Sequence, residues 1–173
     1  MASPLYVARN GTYEEFLEVY DPEANDATEM LCAGLINRDP EAREKISNDM
    51  LDRGADATVV DYGQNTLTLL LSHDDLGDGD AALVQRLVEA GADVNYRESH
   101  GDTPIKLAVK IGAESDEQRR PIYEALFGKD VDLDEPSNVR NPKNKIGEWL
   151  RMCVDHQPEG LKVLDEFLTA RGF

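Results

Sequence analysis

Aromatics, cations and cysteines are all scarce in this chain, and each shortage closes off a class of protein. Aromatic residues are 6% of 173 residues, with a single tryptophan, which suits thin helical layers better than one large globular core. The two cysteines, Cys32 and Cys153, are distant in sequence and both fall on apolar helical spacing. They read as small hydrophobes of a reducing compartment and not as a disulfide framework. Eighteen Lys and Arg stand against thirty-five Asp and Glu, a formal net charge of −17. Such a balance argues against nucleic acid gripped through its phosphates and against anionic membranes. No long apolar run occurs, and Met1-Ala2-Ser3-Pro4 is not a charged leader followed by an apolar segment. A cytoplasmic protein without a membrane span is expected.

The constellations of catalysis are missing too. His73, His100 and His156 are far apart and share no metal-ligand spacing with the cysteines. Asp74 to Asp80 is acidic and contains glycine, but it lacks the residue order of a calcium loop. There is no Gly-x-x-x-x-Gly-Lys phosphate loop and no Gly-x-Ser-x-Gly turn. Paired carboxylates such as Asp74-Asp75 arise by chance in a chain this acidic. No enzyme, cofactor or metal is expected, and a hydrolase is a remote alternative.

What is present is a repeat. Gly54-Ala55-Asp56, Gly91-Ala92-Asp93 and Gly128-Lys129-Asp130 follow one another at intervals of 37 residues (91 − 54 and 128 − 91). A fixed period of this size marks stacked supersecondary units that bury their apolar faces on each other. Before each glycine a block carries bulky apolar residues at its first, fifth and sixth places. These blocks are Ile46 to Leu51, Leu83 to Val88, Ile122 to Phe127 and, near the C-terminus, Val163 to Leu168. That spacing lines one face of a helix. The glycine then supplies a left-handed end at no steric cost. At the other end Thr103-Pro104 offers an N-cap and a first-turn proline, with Thr66 and Thr28 at equivalent places. Thr12-Tyr13-Glu14-Glu15 has capping-box spacing, Ile146, Trp149, Leu150 and Cys153 share a helical face, and Pro158 opens a last helix. Asp134 to Pro142 is turn-rich.

Thr103-Pro104-Ile105-Lys106-Leu107-Ala108, with Glu98 to Asp102 before it, resembles an ankyrin repeat. The likeness is strongest over residues 83 to 112. Elsewhere Thr66 to Leu71 lacks the proline and alanine, and the period exceeds the family's usual length of about 33 residues. The excess falls between helices, at His73 to Ala82 and Ala113 to Arg120, and a helix ending at Gly128 is expected to stop early. The resemblance implies an all-α, ankyrin-type solenoid of helix-turn-helix repeats with hairpin-like connections. It forms a single domain over 1–173: an N-terminal half-repeat at 1–25, repeats at about 26–62, 63–99 and 100–138, and a C-terminal cap at 139–173.

The resemblance also implies recognition along a groove formed by hairpin tips and first helices. Carried over by position, the contact residues are Tyr62, Gln64 and Asn65 in one unit and Tyr96, Arg97, Ser99, His100 and Asp102 in the next. His73, Lys106 and Lys110 join them from adjoining helices. The tyrosines are the expected anchors. Along the opposite edge the inter-helix loops align Asp74, Asp75, Asp78 and Asp80 with Glu114, Asp116 and Glu117 as an acidic ridge. Such a surface suits a basic protein partner, bound and inhibited in the manner of an immunity or antitoxin protein, in a hetero-complex or as a free monomer. The alternative is a scaffold or regulatory subunit whose charge serves solubility.

Overall fold

Packing, far more than propensity, decides where these short helices form. In a computed structural model, which describes residues 1–140 and 142–173, ten α-helices are found among the described residues. They run in five consecutive pairs: α1 (Pro4–Asn10) with α2 (Tyr13–Val19), α3 (Ala27–Leu35) with α4 (Pro40–Asp52), α5 (Thr66–Leu70) with α6 (Asp80–Glu89), α7 (Pro104–Lys110) with α8 (Asp116–Gly128), and α9 (Ile146–His156) with α10 (Lys162–Ala170). Helices of five to thirteen residues are marginal alone and need a covered face. Cover comes from neighbours in two files. The first members pack α1 on α3, α3 on α5 and α5 on α7, and the second members pack α2 on α4, α4 on α6, α6 on α8 and α8 on α10. One core cluster runs unbroken from Val7 to Leu168.

The second helices hold one register. Ile46 and Met50, Leu83 and Leu87, Ile122 and Leu126, and Leu164 and Leu168 are all buried, 0–1% exposed. Eight places after the first of each pair the backbone turns left-handed, at Gly54 (φ 89°), Gly91 (φ 103°), Asp130 (φ 55°) and Gly172 (φ 85°). Two expectations are corrected by this. Gly128 is the last residue of α8 and not its left-handed end; Asp130 takes that place, one of the few residues besides glycine that tolerates it. The last block begins at Leu164 and not Val163, and its helix opens at Lys162, with Pro158 in the preceding turn.

The extra residues before Ile122 also lengthen a helix, because α8 starts at Asp116 and runs through Pro121. Proline forfeits one backbone hydrogen bond there, close enough to the helix start for the turn to survive. The Thr12–Glu15 capping box is present. Thr28 and Thr66 are not caps: Asp26 and Asn65 are, and they accept from the N–H groups of the first turn. Thr103 sits at the cap position of α7 without a cap bond, its buried hydroxyl unpaired. Residues 1–25 form a complete helix pair, since α1 precedes the expected helix. The turn-rich segment spans Asn141, which lies outside the described residues. Both cysteines are free thiols.

Candidate functional site

The acidic ridge divides into two kinds of residue. Asp74, Asp75, Asp78, Glu114 and Glu117 are exposed. Asp80 and Asp116 are buried and belong to the scaffold, which corrects their assignment to the surface. Asp80 accepts from Arg43 twice, Nε to Oδ1 at 2.9 Å and Nη2 to Oδ2 at 2.7 Å, and also from the Gly77 N–H. This fork-on-fork pair joins α4 to α6, and with both side chains 1–2% exposed, losing either partner costs about 3–5 kcal/mol. Asp116 accepts from the Tyr123 hydroxyl at 2.7 Å and from the Val163 and Leu164 N–H groups at 2.8 and 2.9 Å. It thereby pins the start of α10 onto α8. Burial, reinforced by Asp116, drives the Tyr123 hydroxyl well above its ordinary pKa.

Nine of the eleven sequence-predicted contact residues line one continuous groove beside the first helices. At its N-terminal end a hollow of about 440 Å³ lies between Leu5 and Arg9 of α1, Cys32 of α3 with Ile36 just after it, and Val60 and Tyr62 of the first hairpin. A central hollow of about 500 Å³ adds Gln64, His73, His100, Asp102 and Lys110. The C-terminal end, about 650 Å³, adds Arg97, Ser99 and Lys106. The two exceptions are Asn65 and Tyr96. Asn65 is buried as the cap of α5 and donates to the Asp93 carbonyl at 2.9 Å, so it is structural. Tyr96 is half-buried and lines none of these hollows. Lys106 borders the groove but is itself only 7% exposed, its ammonium 2.5 Å from the Ser137 carbonyl and 4.9 Å from the centre of the Trp149 ring. The tryptophan is half-buried against the core as that cation's platform.

The first hairpin is built by its sequence. β1 (Val60–Asp61) pairs antiparallel with β2 (Gln64–Asn65), leaving a two-residue tip, Tyr62-Gly63. Both tip residues have positive φ, 50° and 74°, as a type I′ turn requires. Glycine adopts this freely. Tyrosine does not, yet Tyr62 is 96% exposed, so no buried contact within the fold repays its backbone.

At the second tip the polar groups are knitted together. Glu98, 6% exposed, accepts from Gln64 Nε2 at 2.9 Å, from the Asp102 N–H at 2.8 Å, and shares a hydrogen bond with His100 Nδ1 at 2.9 Å. Burial pushes its carboxyl up in pKa, but these hydrogen bonds outweigh burial and hold it below the usual range. Arg97 donates to the Gly101 and Pro136 carbonyls at 2.8 and 2.6 Å. His73 is half-buried with Nε2 2.8 Å from the Leu35 carbonyl, and loss of hydration keeps it below its ordinary pKa.

Sequence reasoning missed Arg43, Glu98 and the apolar wall around Cys32. For Arg43 a signal existed: Arg43, Asp80 and Arg119 each stand three places before Ile46, Leu83 and Ile122, the first bulky apolar residues of the repeating blocks. Charges recurring on a face that turns inward announce buried pairing. At Cys32, burial first and then the negative field of Asp61, Asp26 and Glu29 push the thiol up to about 11. Among the described residues no group of three or more His, Cys, Asp or Glu is placed to hold a metal ion, and no helix is long and apolar enough to cross a membrane.

No family model matches this chain, and no curated protein does. It is similar in fold to a solved structure, the crystal structure of a functionally unknown protein from Leptotrichia buccalis C-1013-b, at a TM-score of 0.75 and 21% identity, over 99% of this chain and 95% of that one.

Proposed function

We propose that the chain is a divergent ankyrin-type solenoid that binds, and by binding inhibits, a protein partner with a basic surface. The observation that carries this reading is Tyr62. A bulky residue held at φ 50° on an exposed tip costs roughly 1–2 kcal/mol, and it lines a mainly apolar hollow that also carries Glu29 and Asp61. Backbone strain that wins no contact within the fold belongs to a surface kept for something else. An amphipathic side chain of this kind, beside the exposed Leu5 and Val60, has the features of an interface anchor. Net charge of −17 would steer a basic partner towards the groove and supplies most of its effect at low ionic strength.

The experiment is affinity capture from native lysate at low salt with wild type and Tyr62→Ala in parallel. The expected result is a protein of basic isoelectric point retained by wild type and depleted on the variant and in high salt. Capture of the same proteins by both, unaffected by salt, would overturn the reading and favour the scaffold alternative.

A further inference from the structure

We propose that the C-terminal end of the groove is a second contact site, and that it takes the carboxylates of an acidic peptide segment. Four cations line it, Arg97, Lys106, Lys110 and Arg140, against two carboxylates, Glu98 and Asp102. The other two hollows of the groove carry the opposite balance: Arg9 against Glu29 and Asp61 at the N-terminal end, and Lys110 against Asp74, Glu98 and Asp102 in the centre. In a chain of net charge −17 a cation-lined cavity of about 650 Å³ is a local inversion of the molecule's field.

The two carboxylates offset only half of it, and four cations against two anions leave an excess of positive charge. Glu98 is occupied by Gln64, His100 and the Asp102 N–H, and Asp102 is shared between Lys110, at 3.0 Å, and Lys106, at 3.3 Å. Arg97 and Lys106 spend their shortest hydrogen bonds on neutral carbonyls, those of Pro136 and Ser137. A carbonyl fixes a cation in place without neutralising it, so the Arg97 charge is oriented in advance and its ordering cost is already met, while Lys106 is partly answered by Asp102. Arg140 is exposed and lines the same cavity. At physiological ionic strength charges interact over roughly 8 Å, so the cavity acts on a carboxylate inside it while the distant acids are screened. Guanidinium and ammonium groups lining one cavity suit the planar, multiply charged carboxylates of consecutive Glu or Asp residues.

This inference rests on the groove being a protein-binding surface but adds a contact of opposite charge, so that a partner with a basic patch and an acidic segment can seat in one direction only. The test is fluorescence anisotropy of a labelled tetraglutamate peptide titrated with the full chain, its Arg140→Glu and Lys110→Met variants, and Tyr62→Ala. Circular dichroism melts establish that each variant is folded, and Arg140→Glu, at an exposed position, leaves the scaffold intact. The expected result is saturable binding by wild type and Tyr62→Ala alike, weakened at least tenfold by Arg140→Glu and less by Lys110→Met. Absence of binding to wild type, equal binding by Arg140→Glu, or displacement by inorganic phosphate at matched ionic strength would overturn it. Because Tyr62→Ala leaves this site intact, its failure and that of the basic-partner reading are told apart.

Discussion

The two hairpin tips occupy the same place in successive units and have opposite characters. The first, Val60 to Asn65, exposes an aromatic ring at a strained backbone position, with Val60 52% and Tyr62 96% exposed. The second, Arg97 to Asp102, turns a carboxylate inward and ties it to three donors. The links between them are Ser99 N–H to the Gly63 carbonyl at 3.1 Å, Gln64 to Glu98 at 2.9 Å and a long one from Gln64 to the Ser99 hydroxyl at 3.5 Å. The difference teaches that a repeat position does not fix a role: one tip is presented to solvent while the other holds the array together.

The sharpest way to break this comparison is at Glu98. Replacing it by Ala removes the buried acceptor of three partly buried hydrogen bonds and is expected to lower stability by about 1–3 kcal/mol, measured by urea denaturation; no loss would mean the second tip is as free as the first. Next in size is Tyr62→Ala, which should weaken partner affinity by about 2 kcal/mol, roughly thirtyfold, with folding stability unharmed, as read by titration calorimetry and a thermal melt. A smaller effect of the reverse sign is expected from Tyr62→Asn. Asparagine fits the left-handed position, and relief of the backbone should raise stability by about 1 kcal/mol; a drop would show the tyrosine ring is held by the fold after all.

The smallest effect concerns pH. Glu98 has a folded pKa below its unfolded value, near 4.3, so its stabilising contribution is present above that value and is lost as pH falls from it towards the folded pKa. His73, depressed by burial, loses stability in the same direction but earlier, as pH falls below about 6.5. Stability curves of wild type and Glu98→Ala should therefore converge in acid. Parallel curves would remove the second tip's network from the explanation.

Helical units and their register were legible because they follow from periodicity; the groove residues were placed by the ankyrin resemblance instead. Ile46, Leu83 and Ile122 recur where core residues must, and a hairpin tip must precede Thr103. What periodicity leaves open is the sense of a charge. Asp78 and Asp80 are two places apart and equally acidic on paper, but Asp80 opens α6 and is turned towards Arg43, while Asp78 stays in the turn before the helix, in water. The phase also depends on where a helix begins, and the start of α8 at Asp116, ahead of Pro121, is set by packing on α6 and α10. Asn65 follows the same logic: a polar residue at a tip becomes a cap once the helix starts one residue later.

The most direct test of the central claim is the affinity of the captured partner for wild type and Tyr62→Ala, measured by calorimetry at about 50 mM and about 500 mM salt, which shortens the screening length from roughly 14 to about 4 Å. The account predicts tight binding at low salt that weakens steeply at high salt, and a loss of at least tenfold in the variant at both. An affinity that neither salt nor the loss of Tyr62 changes would contradict it.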